Sequence, residues 1–174
     1  MEDLRYPVGR FVFDKDVTPE KRRAWIDEIA GLPGRARQAT TGLSAEQLDT
    51  TYRDGGWTVR QVVHHLADSH MNSFTRFKLA LTETSPQIKA YDQDAWSKTA
   101  DAARPDIELS LRLLEGLHAR WTALLSAMAP EDFARTFVHP ENGVQTLERT
   151  LQTYAWHCRH HVAHITELRR RKRW

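Results

Sequence analysis

A single cysteine, Cys158, is the only thiol in the chain. That excludes an intramolecular disulfide and any thiolate metal cluster. No apolar run reaches the roughly 18 residues of a membrane-spanning helix. The opening Met1-Glu2-Asp3-Leu4-Arg5-Tyr6-Pro7 lacks the apolar stretch of a secretory signal, so a cytoplasmic location is the expectation. Charge of one sign is also lacking, because 25 Lys+Arg against 23 Asp+Glu leaves a net +2. Nucleic acid is not an expected partner. The basic run Arg169-Arg170-Arg171-Lys172-Arg173 follows a helix end, where cations meet a favourable dipole. Gly31-Leu32-Pro33-Gly34 and Gly55-Gly56 are turn signals without the spacing or the Lys-Ser/Thr ending of a phosphate loop.

Strand patterns are scarce and helix patterns plentiful. Thr18-Pro19 is an N-cap with proline at the first helical position, opening a helix through Trp25, Ile26 and Ile29 that continues past Pro33 to Thr41. Ser44 to Gln47 and Thr58 to Gln61 both have capping-box spacing; the first starts a short turn and the second a long helix ending near Ser85-Pro86. Residues 86–104 form a polar crossover. Pro105 begins a third long helix with an apolar stripe of Leu109, Leu113, Leu117, Trp121, Leu124 and Met128, stopped at Ala129-Pro130. Pro140-Glu141-Asn142-Gly143 can close a small hairpin before a fourth long helix from Thr146 to about Arg170. The expected fold is all-α, one four-helix-bundle domain over residues 1–174 with its longer crossover between the second and third long helices.

Histidine is the residue in excess. Four of the nine fall within His157-Cys158-Arg159-His160-His161-Val162-Ala163-His164. Side chains four apart share a helix face, so His157/His161 and His160/His164 are each a two-imidazole clamp. Leu147, Leu151, Tyr154, Cys158, His161, Ile165 and Leu168 form the core-facing stripe, and His161 lies within it. His157 stands roughly 70° and His160 roughly 130° from the stripe centre, with His164 between them, which favours His157/His161 as the inward pair. A third ligand has candidates in His64, His65 and His70, among which periodicity does not choose. His118 and His139 are weaker candidates. Cys158, on the apolar stripe, reads as a small buried hydrophobe.

Gly56-Trp57-Thr58-Val59-Arg60-Gln61-Val62-Val63-His64-His65-Leu66-Ala67-Asp68-Ser69-His70-Met71-Asn72, together with Tyr154 to Ile165, resembles the YfiT-like branch of the DinB-like metalloprotein superfamily. The likeness covers nearly the whole chain, from Tyr6-Pro7-Val8-Gly9 to the last helix. In that superfamily a tryptophan precedes the first metal histidine by eight residues, and the spacing of Trp57 and His65 matches. The last helix there gives two ligands four apart, as His157 and His161 stand. At His164 the sequence departs from the pattern, since many members carry Gln. The resemblance implies a Zn²⁺ or Ni²⁺ ion on three histidines with water completing the shell, in a homodimer. It implies either a metal-dependent hydrolase or, as in related members, a thiol S-transferase acting with a low-molecular-weight thiol such as bacillithiol.

Three neutral imidazoles leave an ion its full charge and an open position, as catalytic sites do. Such an ion lowers the pKa of bound water to about 7, or makes a thiolate. Asp68, one turn after His65, is placed either to orient an imidazole or a bound water or to meet a nearby charge on the helix surface, and Asn72 and Arg76 continue in that direction, toward an anionic small-molecule substrate or toward solvent. The alternative is a non-catalytic bundle that binds a metal or a small molecule, with His164 closing the coordination shell.

Overall fold

The computed structural model describes residues 3–103 and 106–174. Its elements are α1 (Pro19–Thr40), α2 (Ala45–Leu48), α3 (Val59–Thr82), α4 (Gln93–Trp96), α5 (Ala100–Ala103), α6 (Glu108–Ala127), a 3₁₀ turn (Pro130–Ala134), β1 (Thr136–His139), β2 (Gly143–Thr146) and α7 (Leu147–Lys172). Helix starts follow their capping residues. The Thr18 hydroxyl accepts from the Lys21 amide, and Thr58 and Gln61 exchange both bonds of a capping box at 3.1 and 3.0 Å. Helix α1 runs through Pro33 without ending there. The expected start of the third long helix at Pro105 lies outside the described residues, and the helix is assigned from Glu108.

Helices α1, α3, α6 and α7 make the four-helix bundle. Each of α1 and α3 packs on both α6 and α7, which puts α1 and α3 on one diagonal. Arg22 near the start of α1 pairs with Glu148 at the start of α7, and Arg169 near the end of α7 donates to the Ala39 carbonyl at the end of α1, so these two run parallel. His64 and His70 meet Ser110 and His118 in the same order, so α3 and α6 are parallel as well. A parallel pair cannot be joined by a tight turn, hence the crossover of residues 83–107. That crossover is pinned by the hairpin: β1 pairs antiparallel with β2, and the Ile88 amide donates to the Val138 carbonyl at 3.0 Å.

Two surfaces differ from expectation. On α6 the buried stripe is Leu111, Leu114, His118, Trp121 and Leu125, while Leu109 and Leu113 are 63% and 47% exposed. Leucines occur on several faces of this helix, so apolarity alone allows more than one stripe. The polar contacts of Ser110 and His118 and the Arg37–Glu108 ion pair select the observed one. On α7 the predicted stripe is buried throughout, but so are Gln152, His160 and His164. The N-terminal segment covers them. It runs against α7 with Asp14 exchanging two bonds with the Gln152 amide, and the Trp156 indole N–H donating to the Gly9 carbonyl at 3.0 Å. The basic C-terminal run is partly structural: Arg169 donates to the Ala39 and Thr41 carbonyls, satisfying the end of α1, and Arg171 to that of Tyr52.

Candidate metal centre

Helices α3 and α7 run antiparallel, and their first point of contact through polar atoms is imidazole to imidazole. His65 Nε2 lies 3.3 Å from His157 Nε2, and the His161 ring centroid is 4.3 Å from that of His157 and 4.8 Å from that of His65. One nitrogen from each of His65, His157 and His161 falls within 4.8 Å of the others. The periodicity of α7 explains the arrangement from its side, because residues 157 and 161 are one turn apart beside the buried stripe. From the α3 side, the Thr58 cap sets where the helix begins, and His65 follows two turns later facing α7.

The other candidates separate from this group in different ways. His64 turns to α6, its Nδ1 2.7 Å from the Ser110 hydroxyl. His70 is fully buried but has both nitrogens engaged, Nδ1 with His118 Nε2 and Nε2 with His157 Nδ1, each at 3.0 Å. His139 accepts the Glu141 amide in the hairpin loop at 3.2 Å. His160, His161 and His164 form a second group within 4.8 Å, confined to one helix. Asp68 is half-buried and hydrogen-bonds to none of the three rings through its carboxylate among the described residues. Burial, and then the Asp101 charge, raise its pKa to about 6. No sequence signal assigns a role to the His70–His118 contact, because the two residues lie 48 positions apart on different helices and no local pattern pairs them.

Electrostatics favour a cation. Burial, reinforced by His164, lowers the His65 pKa to about 4. Burial and the neighbouring imidazoles hold His157 and His161 well below the ordinary value. All three are therefore neutral near pH 7, with lone pairs available. The Nδ1 of His161 is buried without a partner among the described residues. Converging neutral nitrogens with no carboxylate among them suit a soft or borderline divalent ion. The cluster opens on a cavity of about 390 Å³, lined also by Trp57, Trp156, Arg53 and Asp94. The Trp57 indole donates to Asp94 at 3.2 Å, which ties the crossover to the rim. A second cavity of about 550 Å³, lined by Ser69, Arg76, Tyr91, His139 and Tyr154, shares Gln93 with the first.

A four-helix bundle with a histidine cluster between its second and last long helices defines a class of helical proteins with a candidate metal centre. The sequence pattern described as the DinB superfamily matches residues 28–165, and the chain belongs to that family. It is 52% identical over 174 residues, all of both chains, to a Bacillus cereus (strain 03BB102) protein named "Putative metal-dependent hydrolase". A Bacillus thuringiensis subsp. konkukian (strain 97-27) protein of the same description is equally similar, 52% over the full length of both. Among solved structures it superposes with TM-score 0.95 and 50% identity, over 98% of each chain, on YfiT from Bacillus subtilis, described as "a probable metal-dependent hydrolase with an unusual four-helix bundle topology".

Proposed function

We propose that the protein is a metal-dependent hydrolase of a small substrate, with one Zn²⁺ or Ni²⁺ ion held by His65, His157 and His161. The observation that carries this reading is the convergence of three neutral imidazole nitrogens, two on buried residues and one on a half-buried residue, within 4.8 Å beside an open cavity. The relatives' names point the same way. Such an ion, when bound, supplies a Lewis acid that brings the pKa of a coordinated water to about 7 and can equally acidify a thiol. The chain's own groups do the rest. Trp57 and Trp156 wall the cavity and limit water around the rings, while the His65 and His161 rings pack against Trp57 at 4.5 and 6.4 Å. Arg76, half-buried in the adjoining cavity, offers a charge to an anionic end of the substrate. Tyr154 and Ser69, whose hydroxyls are 3.1 Å apart, line that adjoining cavity.

Metal analysis of the purified protein, joined to an activity panel, tests this. Close to one Zn²⁺ or Ni²⁺ per chain and chelator-sensitive cleavage of ester or amide substrates are expected. Electrophiles offered with and without a low-molecular-weight thiol distinguish hydrolysis from thiol transfer: turnover that needs the thiol replaces the hydrolase reading with the transferase one. Failure to take up either ion would overturn both.

A further inference from the structure

Proline 33 leaves a vacancy in the hydrogen bonding of α1. Having no N–H, it cannot close the helical bond to the carbonyl four residues earlier, that of Ile29. Ile29 is fully buried, so its carbonyl needs another donor. His118 supplies it, with Nδ1 2.7 Å from the Ile29 oxygen. A carbonyl can only accept, so the proton must sit on Nδ1. Burial lowers the His118 pKa to about 4, which keeps the ring neutral and makes Nε2 an acceptor. His70 Nδ1, 3.0 Å away, must then donate to it. His70 is completely buried and its two nitrogens meet only other imidazoles, with no carboxylate to balance a charge, so with Nδ1 donating its Nε2 accepts, and the atom facing it at 3.0 Å is His157 Nδ1. One acceptor that cannot donate thus sets the direction of three successive hydrogen bonds.

Resting on the metal-site reading above, we propose that His118 and His70 are positioning residues that, anchored on the Ile29 carbonyl freed by Pro33, lock His157 in its Nδ1–H tautomer and present its Nε2 lone pair to the ion. Nε2 is the His157 nitrogen that lies 3.3 Å from His65 Nε2, inside the cluster. Were the chain of bonds reversed, that nitrogen would carry a proton and bind no ion. Metal-bound histidines ordinarily gain this orientation from a carboxylate or a carbonyl, and loss of such a partner weakens metal binding about 10–100-fold. Here two further imidazoles relay the carbonyl's constraint from α1 through α6 and α3 to α7. The rings of His70 and His118 lie within 22° of parallel with centroids 4.9 Å apart, an arrangement that suits an in-plane hydrogen bond between their edges.

Long-range ¹H–¹⁵N correlation spectra of the metal-free, ¹⁵N-labelled protein at pH 7 report each histidine's tautomer directly. The expected result is Nδ1–H for His118, His70 and His157; an Nε2–H form of His118 or His157 would overturn the proposal whether or not metal binds. In His118→Phe the His157 resonances should shift toward a tautomer mixture, two rings from the substitution, and Zn²⁺ affinity measured against a competing chelator should fall about 10–100-fold. Affinity within twofold of the unsubstituted protein, or an unchanged His157 tautomer, would overturn the positioning role. If His118→Phe does not fold, the spectra of the unsubstituted protein still decide. If that protein shows the expected tautomers yet takes up no ion, the metal reading fails and the hydrogen-bond order stands.

Discussion

The two histidine trios share His161 and similar spacing, yet what holds them differs. In the trio that spans α3 and α7, His157 is oriented through its outer nitrogen by His70. In the trio confined to α7, His160 is stacked on Trp156 at 4.3 Å and His164 on Tyr52 at 3.9 Å, and His164 Nε2 faces the Arg5 carbonyl at 3.3 Å. The Nδ1 atoms of His160 and His164 are buried without partners among the described residues. One group has a hydrogen-bonded support reaching across the bundle; the other is packed between aromatic rings and an N-terminal strap. Clustering of donors is common to both, so the difference lies in which lone pairs the surroundings direct inward.

Acid should break both trios at once, the largest effect expected. Burial lowers His65 and His164 to about 4 and His160 to about 3, and His157 and His161 lie well below their ordinary value of 6.5. Above pH 6.5 folded and unfolded chains are both neutral at these sites, and no stability is gained or lost. As pH falls below 6.5, the unfolded chain takes up protons that the folded chain refuses. Metal-free stability then declines by up to about 1.4 kcal/mol per histidine per pH unit, levelling only near the folded-state values. Thermal melting followed from pH 7 to 4.5 should show a steep fall, with bound ion released over the same range. A melting temperature independent of pH there would contradict the burial of neutral imidazoles. The His160→Gln, His164→Gln double variant sharpens the contrast, because a fall that persists in it belongs to the cross-helix trio and its His70–His118 support.

Single substitutions should then separate the trios. Structural zinc sites gain roughly 10–16 kcal/mol from four ligands, so one lost ligand weakens binding by about 3 kcal/mol, on the order of 100-fold. His157→Ala and His65→Ala should show that loss in a chelator-competition titration, whereas His160→Ala should stay within about tenfold, its contribution being packing. The reverse order would move the ion onto the α7-only trio.

How far this division was legible in the sequence depends on which contacts are local. The inward face of α7 follows from its own periodicity, and Thr18, Ser44 and Thr58 announce their helices through bonds spanning three residues. The stripe of α6 was not legible, because its leucines permit two registers and His118 completes the buried one through a partner 89 residues away. Burial of His160 and His164 was hidden for a similar reason: the strap over them carries almost no periodic signal, and Val12 within it is 81% exposed. His65 could be preferred over His64 and His70 only through the Trp57 spacing of a resemblance. The structure distinguishes them by their partners, Ser110 for His64 and two imidazoles for His70.

The smallest expected effect concerns Cys158 on α7, which follows His157 and precedes His160 in sequence but belongs to neither trio. It is 0% exposed and faces the bundle core, and burial raises its thiol pKa far above the ordinary value, so no thiolate forms near neutral pH. Neither trio therefore has access to the protein's own sulfur, and a sulfur nucleophile must come from an added thiol. Cys158→Ser shortens the side-chain bond and buries a hydroxyl, which in a helix can donate to the carbonyl one turn earlier. A loss of about 1–2 kcal/mol in stability is expected from that exchange. Metal content and turnover, measured on protein checked to be folded, should stay within about twofold, a free-energy change near 0.4 kcal/mol. Complete loss of activity with the ion still bound would place the chemistry on the protein's own sulfur and leave both imidazole trios as scaffolding.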